Sequence, residues 1–188
     1  MDSYKSQVIL LLKVLPEVAK ESCFALHGGT AINLFVRNMP RLSVDIDLTY
    51  IPIEDRETSL ATINKTLERI KLGIESIFPT IKVSHRPKIL KLLFSEKKAQ
   101  IKLEVSQTMR GVIGSPIQMV LSELVQTKFS SFSAINVVPF EQLYGGKICA
   151  ALDRQHPRDL FDVKYLLENE GFTKDLKMGF LFCLLVLC

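Results

Sequence analysis

Apolar residues recur at helical spacing near the start of the chain, where Val8, Leu11, Leu12, Leu15 and Val18 mark one face. That spacing predicts a first helix running to about Glu21, with Asp2 or Ser3 as its cap. A short apolar strand, Phe24-Ala25-Leu26, then enters the turn Gly28-Gly29-Thr30. A short helix from Thr30 to Val36 and the loop Arg37-Asn38-Met39-Pro40-Arg41 lead to Asp45-Ile46-Asp47, flanked by Val44 and Leu48. Alternation along a strand puts both of these carboxylates on one face and the aliphatics on the other. Pro52 ends that strand, and Glu54-Asp55 open a long helix to about Ile77, with Leu60, Ile63, Leu67, Ile70 and Ile74 on one face and Pro79 as its stop.

From Ile81 to Ser106 the period changes to two. Lys82-Val83-Ser84, Leu90 to Ser95 and Ala99 to Ser106 read as strands, with a turn at Ser95-Glu96-Lys97-Lys98. On the third, Lys102 and Glu104 share one face while Ile101, Leu103 and Val105 share the other. Pro139 suits the first turn of a helix running from Phe140 to about Asp153. Another helix follows from Arg158 to about Glu168, with Gly171 as its stop. Gly145-Gly146 lies inside the first of these, where each glycine costs about 1 kcal/mol relative to alanine. Close approach of another helix, or of a ligand phosphate, is the expected compensation. The chain thus divides into a core over 1–136 and a helical portion over 137–188. Met178 to Cys188 is nearly all apolar, too short to span a bilayer, and suggests a truncated chain whose missing part packs there.

At 188 residues and 47% apolar content, the chain can bury one sizeable core. Net charge is only +4, but Ile81 to Lys102 carries seven basic residues against Glu96 alone. Such clustering fits a polyanion such as RNA or DNA, and fits equally the lysine-rich edge of a solvated hairpin. Cys23, Cys149, Cys183 and Cys188 lack zinc-type spacing and read as reduced, mostly buried thiols of a cytosolic protein. A polar N-terminus, and Lys13 within the apolar run Val8 to Leu15, argue against a signal peptide.

The candidate chemistry lies in the glycines and the carboxylates. A Gly-Gly turn opening a helix offers backbone N–H groups to anionic oxygens, although alone it is an ordinary tight turn. Paired carboxylates on a strand hold Mg²⁺ together with substrate phosphates, although Asp-x-Asp is also common on exposed edges. Turn, helix, loop and strand in succession bring Asp45 and Asp47 back beside Gly28-Gly29, which is what nucleotide transfer needs. Glu104 is either a third carboxylate delivered by sheet pairing or an ordinary strand glutamate. Lys147 suits a triphosphate contact as a point charge, and Arg158 either the same phosphates or a brace to a carboxylate. Arg158 and Asp159 read equally well as a helix-start cap and pair.

The glycine pair followed by a hydrophobic-Asp-hydrophobic-Asp strand resembles the nucleotidyltransferase superfamily signature. His27-Gly28-Gly29-Thr30-Ala31, Arg41 to Leu48, Gly146-Lys147-Ile148 and Pro157 to Asp162 together resemble the AbiEii/AbiGii toxin nucleotidyltransferases, over roughly Leu26 to Phe182. The resemblance implies an α/β (α+β) fold, with a nucleotidyltransferase-like mixed β-sheet flanked by helices and followed by a C-terminal helical portion. It implies the toxin half of a bacterial toxin–antitoxin or abortive-infection pair, neutralised by a separately encoded antitoxin. It also implies a nucleoside triphosphate substrate, Mg²⁺ (or Mn²⁺), and an RNA acceptor, with the 3′ end of tRNA as the expected site. Carried over by position, Gly28, Gly29, Thr30, Lys147 and Arg158 bind the nucleotide, and Asp45 and Asp47 bind the metal. Lys147 and Asp159 join the two aspartates near the reaction centre, and Asp162 is mainly structural. Glu104 enters the metal set from sheet geometry rather than from a motif. A catalytically silent triphosphate- or RNA-binding module, and a transferase for a protein or small-molecule acceptor, are the competing readings.

Overall fold

In the computed structural model, which describes residues 2–187, the first apolar stripe forms α1 (Asp2–Val18). Its Val8, Leu11, Leu15 and Val18 are buried, while the side chains of Asp2 and Ser3, the expected cap, lie outside the described residues. Strand β1 (Phe24–His27) leads into α2 (Gly28–Ala31), which widens without a break into a π-helical turn, Ile32–Val36. The helix therefore begins two residues before Thr30 and ends on an i→i−5 bond, with the Arg37 N–H donating to the Ile32 carbonyl at 2.8 Å. Strand β2 (Ile46–Tyr50) follows, and Asp45 stands immediately before it. Asp55 caps α3 (Arg56–Ile77) by accepting the Thr58 N–H. Then come β3 (Lys82–Arg86), β4 (Lys91–Glu96) and the long β5 (Ala99–Arg110). Beyond these, β6 (Ile117–Val120), α4 (Glu123–Phe129) and β7 (Ala134–Val137) lie in a stretch whose short, weakly alternating segments carried no legible period. Helices α5 (Phe140–Arg154), α6 (Pro157–Asn169) and α7 (Lys174–Leu187) complete the described chain.

The seven strands form one mixed sheet in the order β3-β4-β5-β2-β1-β7-β6. Strand β2 runs antiparallel to β1 and parallel to β5, so the carboxylate strand is central. Ile46 and Leu48 turn into the core with Leu92, Phe94, Leu103 and Val105, all essentially inaccessible. The opposite face of β2 then carries Asp47 and Thr49, in register with His27 and Ala25 of β1. On the other side Asp47 pairs with Glu104, Glu104 with Lys91, and Lys91 with Arg86. Paired residues share a face, so these four form one row from the sheet centre to its edge.

Helix α7 packs along α5, and this contact answers the glycine pair. A Cβ on Gly145 would lie 2.4 Å from the Gly179 carbonyl carbon, and one on Gly179 would lie 2.0 Å from the Glu141 carbonyl oxygen. The two helices thus meet backbone to backbone, which only paired glycines permit. Leu176 and Cys183 of α7 are buried in this contact, whereas Met178, Leu181, Leu184 and Leu185 face outward. Cys23 and Cys183 are free thiols, Cys149 is buried, and Cys188 lies outside the described residues. Among the described residues no helix is long and apolar enough to cross a membrane.

Substitution of Gly145 by alanine should therefore lower stability by about 1–3 kcal/mol, because the methyl meets backbone that has no rotamer to yield. Gly146→Ala, whose methyl would meet only Cys183 Sγ at 3.8 Å, should be neutral or stabilising by up to about 1 kcal/mol. Urea unfolding of the two variants checks the contrast; equal effects would refute the packing account.

Candidate active site

The turn after β1 exists to let backbone approach a carboxylate. Gly28 has φ +74°, and a Cβ there would stand 2.6 Å from Asp47 Oδ2. At Gly29 a Cβ would meet an Arg41 guanidinium nitrogen at 2.9 Å and Ser43 Oγ at 3.0 Å. Thr30 is buried behind the turn, where its hydroxyl donates to the Asp45 carbonyl and shares a hydrogen bond with Ser43. Its side chain consequently does not line the cleft, contrary to the expectation of a triphosphate contact. It fixes the approach of the chain to β2 instead.

An open cleft of about 410 Å³ lies over this turn. It brings together Gly28, Gly29, Asp45, Asp47, Glu104, Lys147, Arg158 and Asp159, all anticipated from sequence. It adds His27, Arg41, Lys102 and Arg154, which sequence reasoning did not assign to the site. Lys102 was legible as sharing a face with Glu104, and His27 as the neighbour of the glycine pair. Arg41 was legible only as the first residue of the Arg41 to Leu48 motif, with no role attached, and nothing local marked Arg154. A volume of this order accommodates a nucleotide-sized ligand.

Asp45 is half-buried, and burial pushes its carboxyl above the ordinary aspartate value, with Lys102 opposing and Asp47 reinforcing the shift. The Lys102 ammonium lies 3.9 Å from Asp45 Oδ2 and is hydrogen-bonded to Glu104 Oε2. Lys91 holds the other Glu104 oxygen at 2.7 Å. Burial pushes the Glu104 carboxyl up, but its hydrogen bonds from Lys102 and Lys91 outweigh this and leave it below the ordinary value. Both Glu104 oxygens are therefore engaged. Among the described residues no three His, Cys, Asp or Glu side chains converge as a metal-binding group. The donor chemistry fits a hard divalent cation on Asp45 and Asp47 with substrate phosphates completing the shell, while the Glu104 carboxylate is paired with Lys91 and Lys102.

At the floor of the cleft a largely buried ionic network, with Arg154 at its exposed margin, ties the helical portion to the turn. Lys147, 7% exposed, places its ammonium 2.8 Å from Asp159 and 3.3 Å from Asp162. Arg154 donates from Nε to Asp159 Oδ2 at 2.7 Å, and Arg41 clamps both oxygens of Asp162, with Nε at 2.8 Å from Oδ1. Asn33 joins Asp162 to the turn, donating to the Gly29 carbonyl at 2.9 Å and to Asp162 Oδ1 at 3.3 Å. Lys147 is thus a lysine held between two carboxylates rather than a free point charge. Burial pushes Asp159 up, yet the hydrogen bonds from Arg154 and Lys147 prevail and bring its pKa down to about 2. Arg158 stands exposed at the rim, where its charge acts on Asp45, and its N–H donates to His156 Nδ1.

The sequence matches, over residues 9–182, the family described as nucleotidyl transferase AbiEii toxin, type IV TA system. The structure resembles MenT4, the nucleotidyltransferase toxin Rv2826c from Mycobacterium tuberculosis H37Rv, with a TM-score of 0.70 at 11% identity. The likeness takes in 94% of this chain and 63% of that one, so the present chain spans less than two thirds of the solved relative. At that identity the likeness speaks for the fold alone. No curated protein matches the sequence.

Because the pKa of Asp159 falls from 3.8 to about 2 on folding, its ionised form contributes stability above about pH 4, which is lost as pH drops through about 2. Asp159→Asn should cost about 3 kcal/mol at pH 7, and its deficit against the parent protein should shrink across that window. Denaturant titrations at pH 7, 4 and 2.5 check this; a deficit that is constant with pH would remove Asp159 from the network's charge balance.

Proposed function

This chain belongs to the nucleotidyl transferase AbiEii toxin family of type IV toxin–antitoxin systems, and we propose that it transfers a nucleoside monophosphate from a nucleoside triphosphate to RNA. The 3′ end of tRNA is the acceptor, the cytoplasm is the compartment, and a cognate antitoxin holds the activity in check. One observation carries this reading: the Gly28 backbone lies directly against the Asp47 carboxylate in an open cleft shared with Asp45. Triphosphate oxygens at the turn and a cation on the two carboxylates then occupy adjoining positions.

In this reading the acceptor 3′-hydroxyl attacks the α-phosphorus in line and gives its proton to solvent, while the bond from the α-phosphorus to the bridging oxygen breaks and pyrophosphate leaves. Asp45 and Asp47 would hold Mg²⁺ or Mn²⁺, which when bound would neutralise phosphate charge and lower the pKa of the attacking hydroxyl. Gly28 and Gly29 let the nucleotide approach the backbone without a Cβ in the way. Lys102, anchored by Glu104, and Arg158 at the rim contribute positive charge where the pyrophosphate develops its own. Lys147 and Asp159 act from beneath, through the position of the turn and of Arg154.

The acceptor class is supported by the row Asp47, Glu104, Lys91, Arg86, which leads from the carboxylates to the sheet edge on the cleft face. Arg86 is exposed there, with Lys82 and Lys88 exposed nearby. A basic lane beginning at the reaction centre suits a phosphodiester backbone better than a protein or a cationic small molecule.

Incubation with each α-³²P-labelled triphosphate, Mg²⁺ and total tRNA should label the tRNA, and Asp45→Ala or Asp47→Ala should abolish the label with the fold intact by circular dichroism. Triphosphate binding with no label on any acceptor would favour the silent module. Arg86→Glu should weaken tRNA binding by about tenfold at low salt and leave triphosphate affinity unchanged. Equal tRNA affinity in electrophoretic titrations would remove the basic lane from the acceptor path.

A further inference from the structure

His27 ends β1 immediately before the glycine turn and lines the same cleft, in cross-strand register with Asp47. Its Nδ1 lies 3.0 Å from Thr49 Oγ1. Thr49 is fully buried, and among the described residues this ring nitrogen is the sole partner of its hydroxyl. A buried hydroxyl whose proton finds no acceptor bears the full desolvation penalty. The hydroxyl proton must therefore go to Nδ1, and Nδ1 must accept. In a neutral imidazole the proton then sits on Nε2. An accepting Nδ1 also excludes the imidazolium, in which both ring nitrogens carry protons. Nε2 has no hydrogen-bond partner among the described residues, and it is not one of the buried unpaired atoms, so it opens onto the cleft.

The tautomer decides what this nitrogen can bind. An Nε2 that carries a proton has no lone pair for a cation, although it stands beside a carboxylate pair suited to one. It can only donate, and the acceptors that enter this cleft are anionic oxygens. We infer that His27 is a nucleotide-binding residue, its Nε2–H donating to a triphosphate oxygen beside Gly28, with Thr49 as the positioning residue that fixes the tautomer. This rests on the triphosphate reading above and adds to it a donor on β1. No covalent step is involved.

The tautomer is read directly on the parent protein by long-range ¹H–¹⁵N correlation of ¹⁵N-labelled histidines. The expected result is an Nε2–H ring whose Nε2 resonance is unmoved by Mg²⁺ alone and shifts when a non-hydrolysable α,β-methylene triphosphate is added. His27→Phe should weaken binding of that analogue by about tenfold, and His27→Gln, which keeps an N–H donor at similar reach, by less than about threefold. Thr49→Val should raise the Nδ1–H population and weaken binding a few-fold. An Nδ1–H ring in the parent protein, an Nε2 resonance that moves with the metal alone, or a folded His27→Phe variant with parental affinity would each overturn the inference. Absence of any triphosphate binding by the parent protein would instead overturn the parent reading and this one with it.

Discussion

Everything at the cleft depends on a set of charges that have been taken out of water together. Lys147, Asp159 and Asp162 are all nearly inaccessible, and each would be costly alone. They are tolerated because Arg41 and Arg154 complete the set from opposite sides, so that every carboxylate oxygen faces a donor. The members come from distant parts of the chain: Asn33 from the π-helical turn, Arg41 from the loop before β2, Lys147 and Arg154 from α5, and the aspartates from α6. Pairing them fixes the helical portion against the sheet and fixes the glycine turn through Asn33. The chemistry above is set by the electrostatics below.

Such networks are weak sources of net stability and strong sources of registry. A buried pair roughly balances its desolvation, but misplacing one partner strands the other. Arg41 fits this role well, because its guanidinium takes both oxygens of Asp162 while its edge lies 2.9 Å from where a Cβ at position 29 would stand. One residue thereby links helix placement, the space at position 29 and the wall of the cleft. A second brace, Arg37, lies between the Tyr144 and Tyr165 rings and pairs with Glu170, joining the same elements at the periphery.

The two glycine pairs solve related problems by different means. Gly28 is needed for its positive φ and for the carboxylate at its Cα; Gly145 is needed because another backbone occupies the space of a Cβ. From sequence, the second pair was equally a helix contact or a phosphate contact. The structure answers with the α7 backbone at Gly145, while Gly146 faces the cleft.

Periodicity and punctuation in the sequence determined the helices α1, α3, α5 and α6, the strands around the basic segment, and the pairing of Asp45 with Asp47. These are local properties: side-chain direction follows from backbone repeat, and glycine and proline mark its ends. The strand face of Glu104 was legible for the same reason, but its lysine partners were not, since which charges meet depends on which strands become neighbours. Thr30 was assigned to the cleft by adjacency to the glycines, and a helix that begins at Gly28 turned it inward. Short β6 and β7 gave no period to read. The buried state of Lys147, the arrival of Arg41 and Arg154, and the tautomer of His27 were decided only by the tertiary structure, because desolvation and hydrogen-bond satisfaction are properties of surroundings assembled from distant segments and have no signature in any one of them.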